Sequence, residues 1–359
     1  MIQEEYTAEA NLSVPESGTV AWESPSNIAL VKYWGKKPVQ LPANASISFT
    51  LKNCYTATKL SFSKADKRSV QVFVGGQEQP SFLKKIETFF HRIEGYCPYV
   101  KNYAFKIETE NTFPHSSGIA SSASGFSALA LCVLSIERNA AGLSDADFYK
   151  KASFLSRLGS GSACRSVYGP MGVWGAHDDY IGSSNHFAVP YDDVHDIFKT
   201  YQDTILLVDK GEKKVSSTLG HDLMNDHPFA DNRFYQAKNH MIDLQKILKN
   251  GNILDFNRLV EKEALTLHAM MMTSDPYFML FKPNTLSIIH KVWQKRESHN
   301  IPFTITLDAG ANVHLLYPAE YKQVALNFIK DELIAYCQNE QYICDEVGNG
   351  PLLKMEHYA

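Results

Sequence analysis

The chain has 359 residues, with 35 Lys and Arg against 39 Asp and Glu and a formal net charge of −4 at pH 7. That balance leaves no basic excess to neutralise a nucleic-acid backbone, which argues against nucleic-acid binding. Hydrophobic residues make up 44% and charged residues 21%, an ordinary globular mix. The length suggests two domains, because single cores stop growing at roughly 250–300 residues.

The opening MIQEEYTAEANLSVPESG is acidic and polar, without the basic and apolar regions of a secretory leader, and residues 1–18 read as a flexible tail. Alternation of polar with β-branched or aromatic residues predicts strands at 45–51, 56–62 and 69–74. A helix over 81–95, closed by Gly95, precedes a strand at 103–109. NTFPHSSGIASSASG then runs into an apolar helix from about Ser122 to Arg138. Ser144 is placed to cap a helix reaching about Leu158, with Asp145 and Asp147 in its first turn. The small-residue loop GSGSACRS and a strand at 171–174 follow. Residues 175–200 are rich in Asp, His, Gly and Pro, and a domain boundary is placed near their end: 19–198 and 199–359.

DTILLVD opens the second half as a strand, and helical patterns follow near 216–226, 230–249, 252–274 and 284–299. PFTITLD and NVHLLYP read as strands joined by a glycine turn. A final helix has Val324, Phe328, Ile329, Leu333 and Tyr336 at helical spacing. Interleaved strands and helices make the class α/β or α+β in two layers. No apolar stretch reaches the roughly 18 residues a membrane helix needs, so no membrane span is expected. The cysteines are scattered, with no C-x-x-C pair. Reduced thiols in a cytoplasm fit that pattern better than disulfides or a zinc site.

Four segments carry candidate chemistry. In PHSSGIASSAS small residues let the backbone approach a ligand, and N–H groups at a helix start favour anions such as a nucleotide phosphate. Ser116, Ser117, Ser121 and Ser122 add hydroxyl donors. The segment lacks the lysine of a Walker P-loop, and it also reads as an ordinary Ser-rich cap. In GSGSACRS the fork of Arg165 suits a carboxylate or phosphate, unless it is a surface Arg on a tight turn. In NIALVKYWGKK, Lys32, Lys36 and Lys37 flank Tyr33 and Trp34, and Lys32 could simply snorkel from the strand end. In TLDAGANVH, Asp308 ends an apolar strand, as a candidate base or as an Asx-turn carboxylate. The thirteen histidines show no zinc-ligand spacing, and no metal ligands are assigned.

In this order and spacing the pieces SPSNIALVKYWGKK, LPANASISFTL, NTFPHSSGIASSASGFSALA, LSRLGSGSACRSVYGPMGVW, KKVSSTLG and LDAGAN resemble the GHMP kinase superfamily. Within it they resemble its diphosphomevalonate decarboxylase branch, over roughly residues 20–320. The resemblance implies a two-domain α+β fold, with an N-terminal ribosomal-protein-like α/β domain, a C-terminal ferredoxin-like domain and a deep cleft between them. It implies a homodimer that uses ATP and Mg2+ to convert mevalonate 5-diphosphate to isopentenyl diphosphate, carbon dioxide, phosphate and ADP.

Carried over by residue, the resemblance makes Asp308 the carboxylate facing the 3-hydroxyl, with Lys32 beside it and Arg165 on the substrate carboxylate. Tyr33, Lys36, Ser160 and Ser162 fall in the diphosphate site. Ser121 and Ser122, with the backbone around Gly118, cradle the ATP phosphates, and Asn111 lies near the nucleotide. His115 and Ile119 depart from the usual serine-loop wording. Thr218 stands where bacterial members often carry Arg, and His221 where Met is common. Sister activities on this scaffold are a phosphomevalonate decarboxylase, a mevalonate 3-kinase or another small-molecule kinase. A silent ligand-binding protein would be expected to lack the aspartate or the serine loop, and both are present here.

Overall fold

The computed structural model of the protein describes residues 5–9, 12–114, 119–211 and 217–359, with 217–218 as backbone only. The expected roles of Ser116, Ser117 and Gly118, and of the Thr218 side chain, fall outside these residues.

Two strands dominate the first domain. β1 spans Ser17–Val31 and β2 spans Ser46–Lys64, antiparallel, from Ser17 opposite Ser63 to Val31 opposite Ile47. The separate strands expected at 45–51 and 56–62 are therefore one element. β3 (Ser69–Val74), β4 (Gln77–Glu78), α1 (Pro80–Ile93) and β5 (Tyr103–Asn111) follow, and the helix provides the crossover that makes β3 and β5 parallel. α2 (Ser121–Arg138) and α3 (Asp145–Gly159) cover this sheet. Trp22, Phe62, Phe90, Phe105, Leu131, Phe148 and Phe154 fill the layer between. β6 (Met171–Trp174) pairs with β2 and with β7 (Ala188–Pro190).

The second domain is built on β8 (Gln202–Leu206), followed by α4 (Ala230–Asn250), α5 (Ile253–Met272) and α6 (Pro283–His299). β9 (Thr304–Thr306), β10 (Val313–Tyr317) and β11 (Tyr342–Glu346) complete a sheet of order β9-β10-β8-β11. The last strand, β12 (Leu352–Tyr358), crosses back and pairs with β1 in the first sheet. A core containing Ile28, Ile47 and Phe49 from the first domain and Met241, Leu244, Phe256 and Val260 from α4 and α5 joins the halves. The fold is α+β in two domains, as expected.

Three expectations are corrected. Residues 1–18 are not simply a flexible polar tail: Tyr6 is 4% exposed and stacks on Phe154 with ring centroids 4.3 Å apart. Val14 packs against the same core, and the Ala8 N–H donates to the Tyr96 carbonyl at 2.8 Å. A domain cut at 199 with everything after it in the second unit leaves out the return of β12 to the first sheet. In the final helix Val324 is exposed and Ala325 takes its place in the buried stripe, with Phe328, Ile329 and Leu333; a π turn at Ile329–Leu333 alters the helical spacing there. Among the described residues, no helix is long and apolar enough to cross a membrane.

Candidate functional site

Lys32 follows the last residue of β1, and its Nζ lies 2.9 Å from Asp308 Oδ1. The Lys32 side chain is 2% exposed and that of Asp308 24%, so the ammonium is the more deeply buried partner. Asp308 sits between β9 and β10, in a turn closed by a 2.7 Å bond from Gly310 N–H to its carbonyl. His268 on α5 donates from Nε2 to the same carbonyl at 3.2 Å and stacks on Phe281. Burial pushes His268 down to about 4, so this ring is neutral and can donate one proton.

Arg165 lies in the short 3-10 helix Gly161–Val167 and is buried. Its Nε donates to Ser48 Oγ at 2.9 Å, its Nη1 to Ser46 Oγ, and its Nε and Nη2 to Asn27 Oδ1 at 3.3 Å. These acceptors are all neutral. Burial lowers the guanidinium from its ordinary value, and the nearby Cys164 and Asp308 oppose that shift. Among the described residues this buried cation is held by hydroxyls and an amide, a setting that suits an incoming anion. Alternation along β2 builds the cradle: Ile47, Phe49 and Leu51 face the shared core, and Ser46 and Ser48 face the guanidinium.

The lysine–aromatic segment turns at Gly35, whose φ of +90° is a region that side chains rarely adopt. Tyr33 packs edge-on against Trp174 at 4.7 Å, and its buried hydroxyl has no hydrogen-bond partner among the described residues. A Cβ added to Gly161 would lie 2.8 Å from the Trp174 ring and 2.9 Å from the Tyr33 hydroxyl, which explains the glycine there. His221 lies between Tyr33 (4.3 Å) and Trp34 (4.7 Å), and its Nδ1 accepts from Gly35 N–H at 3.0 Å. Burial, helped by the charge of Lys36, lowers His221 to about 3. Lys36 pairs with Asp222 at 3.6 Å. Lys36, Lys37, Arg92, Asp222 and Asn225 help line a cleft of about 550 Å³. Arg92 is anchored by a 2.7 Å bond to the Leu158 carbonyl, two residues before Ser160.

The two small-residue motifs meet: Ser122 Oγ lies 3.3 Å from Ser160 Oγ. The N-cap of α2 is Ala120, at φ 44° and ψ 40°, which has no side chain to cap the helix. The Ala120 carbonyl accepts the Ala123 N–H at 2.8 Å, and Ala120 gives the helix start no side-chain cap. Asn111 closes β5, and the Thr56 hydroxyl links it (2.7 Å) to Ser124 (2.6 Å), one turn into α2. Ser162 offers its carbonyl to Asn27 at 3.1 Å. The structure thus pairs Lys32 with Asp308, sets Asp308 close enough to Arg165 for its charge to act on the guanidinium, and joins Ser122 to Ser160.

Several residues of the site escape a reading by motif. Asn27, Ser46 and Ser48 hold Arg165, Arg92 enters the basic cleft, and Asn44 donates to the Lys32 carbonyl at 3.0 Å. Glu263 is fully buried on α5, bound by Arg233 at 2.8 and 2.6 Å, by His240 and by the Lys32 N–H at 2.8 Å. Burial opposes its ionisation, but the Arg233 charge and these hydrogen bonds prevail and hold it at about 2. One signal was available. Glu263 falls in the stripe Phe256, Val260, Leu267, Met271 of α5, where an acid must be paired.

Residues 24–187 match the diphosphomevalonate decarboxylase-like N-terminal domain family, and residues 204–354 the mevalonate 5-diphosphate decarboxylase C-terminal domain family. The diphosphomevalonate decarboxylase of Aspergillus fumigatus is 27% identical over 335 residues, covering 86% of this chain and 78% of the relative. The mevalonate diphosphate decarboxylase of Staphylococcus aureus superposes with a TM-score of 0.82 at 27% identity, covering 94% of this chain and 98% of that one. A complex of MDDEF with MVAPP, AMPPCP and magnesium superposes with a TM-score of 0.81 at 28% identity, covering 94% and 99%. The two domain matches lie in order along one chain, and together with the superpositions they mean that the chain belongs to the diphosphomevalonate decarboxylase family.

Proposed function

We propose that the protein catalyses the ATP-dependent decarboxylation of mevalonate 5-diphosphate to isopentenyl diphosphate, carbon dioxide, phosphate and ADP. The observation that carries this is the Lys32–Asp308 pair at 2.9 Å beside a buried Arg165 whose acceptors are neutral. A simple kinase has no need of a second buried cation for a carboxylate. That a family neighbour forms a complex with MVAPP, AMPPCP and magnesium supports the same reading.

The chemistry proceeds in two steps. In the first, the 3-hydroxyl oxygen attacks the γ-phosphorus of ATP, ADP departs, and the hydroxyl proton goes to Asp308. Full deprotonation beforehand is too costly. Between an Asp near 3.9 and a hydroxyl taken as about 15.7, the gap of about 12 units is about 16 kcal/mol. The proton therefore moves late, as the O–P bond forms, and Lys32 favours the carboxylate form of Asp308 until then. In the second step the C3–O bond breaks and phosphate leaves with the electron pair. The electrons of the bond to the carboxyl group then form the new double bond, releasing carbon dioxide. Arg165 orients the carboxylate; very tight binding would oppose its loss as neutral carbon dioxide, so positioning is its main contribution.

Phosphate groups fit two places. The uncapped start of α2, with the Ser121 and Ser122 hydroxyls, suits the phosphates of ATP. The cleft with Lys36, Lys37 and Arg92, next to Tyr33 and Ser160, suits the substrate diphosphate. Magnesium neutralises charge on the nucleotide phosphates. The ion would arrive on the nucleotide phosphates, and the hydroxyls of Ser121 and Ser122 at the start of α2 would be the protein oxygens beside it. The test is a panel of mevalonate and its 5-phosphate, 5-diphosphate and 3,5-bisphosphate with ATP, with ADP and carbon dioxide measured separately. The diphosphate should yield both products one to one. Release of ADP without carbon dioxide would overturn the proposal.

A further inference from the structure

The Lys32–Asp308 contact joins residues 276 apart in sequence, so something must set the distance between them. Both main chains lead to one helix. The Lys32 N–H donates to Glu263 Oε2 on α5 at 2.8 Å, and the Asp308 carbonyl accepts from His268 Nε2, five residues further along α5, at 3.2 Å. The Lys32 carbonyl is held in turn by Asn44 Nδ2 at 3.0 Å and Arg233 Nη2 at 3.3 Å. With the peptide groups on both sides of its Cα bound, the Lys32 side chain starts from a fixed base. Glu263 is itself immobilised by Arg233 and His240, and His268 by its stack on Phe281.

A buried charged network of this kind is weak evidence for stability, because well-packed apolar residues in its place are often as stable or more so. It does give two main-chain positions a rigid common reference, and rigid support of this sort is what preorganised sites require. We infer that α5 acts as a gauge: Glu263 and His268 are positioning residues that set the separation of the Lys32 ammonium and the Asp308 carboxylate. The inference rests on the proposed roles of that pair, and it gives α5 a part in catalysis without contact with substrate.

Glu263→Asp tests it. The charge is kept, but the arm is one methylene shorter and cannot reach both Arg233 and the Lys32 N–H. Turnover, read as ADP release so that it does not depend on decarboxylation, should fall about 10- to 100-fold, in line with the cost of a small misplacement. The KM values for ATP and substrate should stay within about 3-fold, because the binding residues are elsewhere. The deciding arm is a double-mutant cycle with Lys32→Met. If Glu263 works through Lys32, adding Glu263→Asp to Lys32→Met lowers turnover by less than about 2-fold more. An equal drop in both backgrounds, or no drop in the first, overturns the inference. Should Glu263→Asp fail to fold, His268→Phe, which removes the donor to the Asp308 carbonyl and keeps a ring against Phe281, goes through the same cycle with the same two outcomes.

Discussion

At the residue scale the site is a problem of placing charge. A carboxylate that takes a proton late has to be ionised yet reachable by the reacting hydroxyl, and Asp308 is paired with Lys32 and remains 24% exposed. Asp308→Asn keeps size and shape but removes the proton acceptor. Steady-state kinetics should show turnover reduced by roughly 10²–10⁴, the usual worth of a positioned base, with KM values within a few-fold. Near-normal turnover would mean that the proton goes elsewhere, most simply to the transferred phosphate. Lys32, Arg165 and Asp308 were legible in the sequence because each charge follows an apolar run or sits among small residues. Glu263 was not, since an acid in the buried stripe of a helix has meaning only once its partners Arg233, His240 and Lys32 are known to surround it.

At the element scale, alternation named the strands but misjudged where one ends. β2 carries the polar stretch Lys52–Asn53 in its middle, which reads locally as a break. The strand continues because the Asp345 carboxylate from β11 accepts the N–H groups of Lys52, Asn53 and Cys54 at 2.7–2.9 Å. Helix starts were easier, because a cap is a local device. Ser144 accepts the Asp147 N–H at 3.2 Å, as its position before two aspartates predicts. Ser144→Ala should lower unfolding free energy by about 1 kcal/mol in denaturant titration while turnover is unchanged. The start of α2 is the contrast. Ala120 offers nothing to cap the helix, and the same Ser144-type substitution at Ser122 should be felt in turnover, through phosphate positioning, more than in stability.

At the scale of the whole molecule, the neutral histidines make stability depend on acid. His221 and His268 are held at about 3 and about 4, below the ordinary 6.5, mainly by burial. The unfolded chain binds a proton at each position that the folded state refuses, so stability is fully present above about pH 6.5 and falls as pH drops toward the folded values. Between pH 6.5 and 5 each should remove about 2 kcal/mol. His221→Met should flatten that loss by about the share of one histidine when unfolding is measured at both pH values; an unchanged slope would show that His221 titrates normally. The periodicities, the small-residue turns and the charged ends of apolar runs are properties of chain neighbours. The sequence by itself therefore determined the two-layer α+β class and most of the helices, and it marked Lys32, Arg165 and Asp308 as candidates. Tertiary structure alone decided that β12 returns to β1, that the serine face of β2 is buried against Arg165, and that Glu263 holds Lys32. Those contacts join residues 117 and 231 apart, and in the case of β12 opposite ends of the chain. No local pattern encodes proximity at such range; it follows only from burying the apolar faces of both domains against one another.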